Sequence, residues 1–140
     1  MGYVLRSLLV MLPVVSIAAP AMARDENRLA NTQWVLVAIV EGETTSLPVE
    51  GTEVTLEFGR DDTAGGKACN YYQSPYKVEG NALSFGDVAS TLMLCPPEES
   101  AQEGRYYEAL KSADSFELKR RRLEIAYGDG RGTLVFVRDR

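Results

Sequence analysis

Ala68-Cys69-Asn70-Tyr71-Tyr72, then Tyr76, then Gly80-Asn81-Ala82-Leu83-Ser84-Phe85, is the stretch whose reading decides the fold. It closes with Ser90-Thr91-Leu92-Met93-Leu94-Cys95-Pro96, so the only two cysteines bracket it. Residues 76–78 and 82–85 read as two short strands around a turn at Glu79-Gly80-Asn81. Just upstream, Gly65, Gly66 and the Cys69 segment read as one strand loosened by its glycines. Downstream, residues 90–94 read as an extended piece leading to Cys95, and Pro96-Pro97 stops it.

Strand signals continue in both directions. Residues 33–40, QWVLVAIV, are rich in aromatic and β-branched side chains, which suits a well-buried strand. Residues 41–52 contain Gly42, Pro48 and Gly51 and read as a loop. Val54, Leu56 and Phe58 alternate with Glu53, Thr55 and Glu57, the pattern of a strand with one face in water. After the prolines comes one helix over residues 98–112, with Tyr106, Ala109, Leu110 and Ala113 on one face. Ser100 and Glu103 have capping-box spacing, and a start just after Pro97 fits as well. Phe116 and Leu118, then Leu123, Ile125 and Tyr127, then residues 133–137 read as three final strands. The expected fold is therefore α+β and β-rich. It is a strongly curved antiparallel sheet, or partly open barrel, of about eight short strands with one α-helix.

The N-terminus carries an export signal. Arg6 is the only charge in the first 23 residues. Residues 7–18 are nearly all apolar, and Ala21-Met22-Ala23 is a small-residue cleavage site preceded by Pro20. The run is short for a membrane span, which takes ~20 residues. The expected organisation is a cleaved signal peptide over 1–23, a flexible lead-in over 24–31 and one domain over 32–138. No cysteine lies at the cleavage point for lipid attachment. A soluble periplasmic protein with no lipid anchor and no transmembrane segment after cleavage is expected.

Removing the single positive charge of the signal takes the net charge from −5 to −6. That balance disfavours nucleic acid and anionic lipid as partners. In an oxidising compartment Cys69 and Cys95 are expected to form one bridge, stabilising the fold by ~3–4 kcal/mol. They have no C-x-x-C spacing to activate a thiol, and the chain contains no histidine, so neither redox catalysis nor a zinc site is expected.

Other motifs read as structural. Gly65-Gly66-Lys67 lacks the remainder of a phosphate loop. Lys119-Arg120-Arg121-Arg122 falls at a strand junction and reads as a solvated hairpin turn. Asp61-Asp62 falls in a turn, and Glu98-Glu99 at the helix start, where carboxylates favour the helix dipole. No serine sits in a nucleophile elbow. No catalytic, cofactor-binding or metal-ligating residue is expected, and the chain is not expected to be an enzyme.

The order of these stretches resembles the META domain, the family of the HslJ-type heat-shock proteins. The resemblance rests on Thr32-Gln33-Trp34-Val35-Leu36, Val54-Thr55-Leu56-Glu57-Phe58, the Cys69-Asn70 segment, Gly80 to Phe85, Thr91 to Cys95, Tyr106 with Ala109-Leu110, and Gly132 to Phe136. Ala68 stands where the family usually has glycine, and Gln73-Ser74-Pro75 where a glycine turn is usual. The resemblance implies a β-rich domain with one helix, exported or envelope-associated in bacteria. It also implies a link to stress and antibiotic tolerance with no established enzyme activity. Trp34, Asn70, Leu83, Phe85, Met93 and Leu110 are read as its structural signature. The expected partner is an envelope protein; the alternative is a small apolar ligand or lipid carried by the partly open barrel.

Overall fold

The computed structural model describes residues 27–140. The expected signal peptide over 1–23, its expected cleavage site and residues 24–26 of the expected lead-in lie outside the described residues. The chain forms β1 (Thr32–Glu41), β2 (Thr44–Ser46), β3 (Thr55–Phe58), β4 (Thr63–Lys67), β5 (Tyr71–Glu79), β6 (Ala82–Phe85) and β7 (Ala89–Ser90). Then come α1 (Pro97–Lys111), β8 (Ala113–Lys119), β9 (Arg122–Tyr127) and β10 (Gly132–Arg138). The strands run in the order β10-β9-β8-β6-β5-β4-β3-β1, and β1 pairs back onto β10. Eight antiparallel strands thus close into a barrel, with β2 added beside β1 and β7 beside β5.

Closure is uneven. β1 and β10 share seven residue pairs, whereas β6 and β8 share only Ala82 with Ser115. The openness expected from the sequence is confined to that joint, which Phe116 N–H reinforces by donating to Asn81 O at 2.9 Å.

β1 explains why its sequence reads as an unbroken apolar run. Trp34 and Leu36 point inward, a bulge follows Leu36, and Ile39 then takes the inward position. β5 corrects the sequence reading more deeply. It is one continuous strand in which Tyr72, Ser74 and Tyr76 face inward and Tyr71, Gln73 and Lys77 face out. Ser74 hid the alternation, because a hydroxyl in the core looks like a loop residue. It is satisfied by donating to Gly86 O at 3.0 Å. Pro75 is tolerated within the strand, opposite Thr63. Gln73-Ser74-Pro75 is therefore mid-strand, and the turn lies earlier, at Ala68-Cys69-Asn70, between β4 and β5. Likewise β2 lies inside the expected 41–52 loop, and of the extended piece expected over 90–94 only Ser90 pairs as a strand, together with Ala89 before it.

Both ends of the barrel are stoppered. At one, α1 inserts Tyr106, whose ring packs 5.7 Å from Tyr72 on β5 and 6.4 Å from Phe136 on β10. Those strands stand on opposite sides of the ring, so Tyr106 occupies the mouth itself. Ala109 and Leu110 are buried beside it, while Ala113, expected on the same helical face, begins β8. The helix starts at Pro97 with no side-chain cap, so Ser100 and Glu103 do not form the capping box.

At the other end, residues 27–31 are an ordered turn and not the expected flexible lead-in. Asn27 Oδ1 accepts from the N–H groups of Leu29 and Ala30, and its amide donates to Tyr76 Oη at 2.9 Å. Leu29 is fully buried there. Between the stoppers the interior is packed with Trp34, Leu56, Phe58, Leu83, Ile125 and Leu134. Trp34 donates its indole N–H to Thr32 Oγ1 at 2.7 Å, so its one polar atom is satisfied inside the core.

Candidate functional site

The chemistry-bearing residues of the sequence converge at one place, the β4–β5 turn against the start of α1. Cys69 and Cys95 are joined in a disulfide with Cα atoms 6.4 Å apart. Cys69 sits at φ 106°, a conformation that L side chains rarely adopt. The turn is held there by the bond and by Asn70.

Asn70, 5% exposed, spends its whole hydrogen-bonding capacity locally. Its amide donates to Glu103 Oε1 at 2.9 Å and approaches Cys95 Sγ at 3.7 Å. Its Oδ1 accepts from Met93 N–H at 2.6 Å and Thr91 Oγ1 at 3.0 Å. Its backbone N–H donates to the second Glu103 oxygen at 2.8 Å. One asparagine therefore ties together the turn, the 91–95 loop and the helix, which is a larger role than capping a turn.

The other signature residues divide by position. Trp34, Leu83 and Leu110 are core residues, and Phe85 is half-buried, packed against Phe58. Met93 is not a core residue: its side chain is 47% exposed, and the fold uses its backbone N–H. On either side, Leu92 is 96% and Leu94 102% exposed. These three apolar side chains project from a loop that is covalently and polarly anchored. Sequence reasoning missed this, because an apolar tripeptide beside a cysteine looks like a buried strand.

Cys69, Cys95 and Glu103 also lie close enough for their ligand atoms to meet a metal ion. With both sulfurs committed to the disulfide, the constellation is a covalent clasp and not a ligand set.

Among the described residues, the groups whose proton affinity is displaced are all tyrosines. Burial raises Tyr72, Tyr76, Tyr106 and Tyr107 above their ordinary value, and Tyr127 to about 12. Tyr72 and Tyr106 hydrogen-bond to each other at 2.6 Å. The Tyr107 hydroxyl is buried near Glu103 with no hydrogen-bond partner at bonding geometry among the described residues, and that carboxylate raises it further. Tyr127 donates to Glu41 Oε1 at 2.8 Å, which adds to the effect of burial. Such groups hold their protons at neutral pH, so they are poor general bases.

The remaining charge motifs are dispersed. Arg120 and Arg121 form the exposed β8–β9 turn, and Lys119 and Arg122 both meet Glu124. Asp61 and Asp62 are exposed in the β3–β4 turn, and Glu98 and Glu99 lie in the first turn of α1. Gly65-Gly66-Lys67 belongs to β4 and not to a loop.

Depressions mark the surface of the described residues. One of about 750 Å³ crosses the outer face of β3, β4 and β5 next to β7. One of about 710 Å³ lies between α1 and the Tyr127–Arg131 corner, and one of about 290 Å³ between α1 and the 46–49 loop. Each is lined mainly by outward-facing residues, while the barrel interior is filled. The geometry thus gives no support to a ligand carried inside the barrel. Among the described residues, no helix is long and apolar enough to cross a membrane.

Over the described residues these features define a disulfide-clasped, closed β-barrel with one helix set into its mouth. Residues 27–140 match the META domain, and the chain belongs to that family. A protein from Burkholderia xenovorans solved by NMR is 28% identical, with a TM-score of 0.70 over 94% of this chain and 99% of its own. A second NMR structure is 25% identical, with a TM-score of 0.62 over 83% of this chain and 95% of its own. The crystal structure of a DUF4847 family protein from Bacteroides vulgatus ATCC 8482 is 13% identical. It has a TM-score of 0.60 over 80% of this chain and 95% of its own, and shares the fold alone. No curated protein matches the chain.

Proposed function

We propose that this chain is an exported, non-enzymatic binding protein of the bacterial envelope, acting in stress or antibiotic tolerance through contact with an envelope protein. The observation that carries this reading is the exposed apolar triplet Leu92, Met93 and Leu94, anchored on both sides by the disulfide and Asn70. A large apolar side chain almost fully in water is common singly. Three in succession on an anchored loop are a surface awaiting a partner. Because the loop is already ordered, docking costs little conformational entropy. Support for a non-catalytic role comes from the tyrosines, which retain their protons, and from carboxylates that are dispersed instead of gathered in a cleft. The disulfide fits an oxidising compartment.

The test is a stress-survival assay in cells carrying the double substitution Leu92→Ser, Leu94→Ser. Urea unfolding of the purified variant should match the parent, because neither side chain is buried, while survival falls to that of a deletion strain. Full survival with the variant, or complete loss of function in a well-folded carboxylate or serine variant elsewhere, would overturn the reading. Intact mass of the exported protein should correspond to a start at Arg24; retention of residues 1–23 in the soluble form contradicts export by cleavage.

A further inference from the structure

The depression across β3, β4 and β5 has a construction of its own. Its floor is bare where Gly65 of β4 stands opposite the outward-facing Gln73; the next residue, Gly66, stands opposite the inward-facing Tyr72. A Cβ on Gly65 would lie 2.6 Å from Tyr72 O, and one on Gly66 would lie 2.2 Å from Thr55 O. The strands approach too closely for any side chain, so the outer face dips between the rows that flank it. At about 750 Å³ the groove falls within the ~300–1,000 Å³ typical of small-molecule sites.

Its walls combine apolar surface with several polar side chains. Tyr71, 59% exposed, offers one aromatic ring, with Lys67 Nζ 5.8 Å from its centroid. The same groove is lined by Glu57, Gln73, Thr63 and Ser90, which bring a carboxylate, an amide and two hydroxyls to it. The ring is preset. Tyr71 N–H donates to Thr91 Oγ1 at 3.1 Å, and Tyr71 O accepts from Thr91 N–H at 2.9 Å. The disulfide fixes the chain two residues upstream.

We infer that this groove is a saccharide-binding site, taking a short neutral oligosaccharide with Tyr71 as its stacking platform. A pyranose presents an apolar C–H face and a rim of hydroxyl groups that both donate and accept. The first matches an exposed aromatic ring by dispersion contact. The second matches a carboxylate, an amide, an ammonium and hydroxyls lining the same groove. An extended peptide fits less well, because β4 is paired along both edges and leaves no free backbone to extend. A polyanion is disfavoured by Glu57 and Asp61 against the one cation, Lys67. The inference goes beyond the binding role proposed above and does not depend on loop 92–94.

The test is a ¹⁵N NMR titration of the mature, disulfide-intact protein with chitotriose, cellotriose and maltotriose. At least one should give saturable shifts, millimolar or tighter, centred on the amides of Gly65, Lys67, Tyr71 and Gln73. Tyr71→Ala should weaken that binding at least tenfold while leaving the urea midpoint unchanged, and Gln73→Ala should weaken it less. The Leu92→Ser, Leu94→Ser variant should bind the sugar as the parent does, so loss of the docking reading and loss of this one are separable. Absence of saturable shifts with all three sugars, or shifts unaltered by Tyr71→Ala, overturns the assignment.

Discussion

Replacing Asn70 by aspartate should damage the protein more than replacing it by alanine, although aspartate has nearly the same shape. Asn70→Asp keeps the two acceptor bonds to Met93 and Thr91 but converts the donor facing Glu103 into a carboxylate. Two carboxylates ~4 Å apart repel by ~4 kcal/mol at an effective dielectric of ~20. Glu103 is half-buried, so solvent screening reduces this to ~2–3 kcal/mol. The lost donor bond adds ~1 kcal/mol, giving a total of ~3–4 kcal/mol. Asn70→Ala removes all these bonds, but Met93 and Thr91 are exposed and water can replace their partner, so its cost is ~1–2 kcal/mol. Glu103→Gln alone sets one amide against another and should cost ~1–2 kcal/mol. Combining Asn70→Asp with Glu103→Gln reverses the donor and acceptor and should recover to within ~1 kcal/mol of the parent, a strong coupling for neighbours. Urea unfolding followed by the fluorescence of the buried Trp34 measures all four proteins, with the disulfide verified by intact mass. If alanine is as costly as aspartate, or the double variant is merely the sum of the singles, Asn70 is not the organising contact described above.

Two further outcomes follow from the same structure. Cys95→Ser opens a 26-residue separation and should lower stability by ~3–4 kcal/mol on the loop-entropy account, with hydrogen exchange rising first at residues 91–95. Urea midpoints and amide exchange check this; an unchanged midpoint contradicts it. Stability should also fall as pH rises through ~10 towards 12. The buried tyrosines have folded-state values above their unfolded ones, so over that window the folded state binds more protons and loses ground as they are withdrawn. Thermal melts across the alkaline range read this directly, and Tyr127→Phe should blunt the loss near pH 12.

The parts of the fold legible in the sequence were those in which one physical signal acted alone. Val54, Leu56 and Phe58 alternate cleanly because β3 has one wet face and one packed face. The helix stood out because prolines mark its start and Tyr106, Ala109 and Leu110 recur at its period. β5 was obscured where two requirements met: Ser74 is a core residue made tolerable by a hydroxyl shared between Gly86 O and Pro75 O, and no local pattern foretells the distant partner. The ordered turn at 27–31 was hidden for a similar reason, since Leu29 is surrounded by polar residues and its burial is created by the barrel end it stoppers. The cysteine pair and the place of Asn70 in the motif were legible, but Glu103 as its partner was not. That contact joins residues 33 apart and depends on where the helix docks.

The barrel is also a ring whose first and last strands are each other's neighbours. β10 pairs with β1 along its whole length, while the other long-range joint, β6 with β8, rests on a single pair. A strand that waits for a partner some hundred residues away leaves an apolar edge unpaired until the whole chain is present, and such pairing is slow. The Cys69–Cys95 bond lies entirely within the earlier-made half and the loop after it, so it can form before the ring closes. The topology therefore permits a cross-linked half-shell before the last hairpin closes the ring along β1.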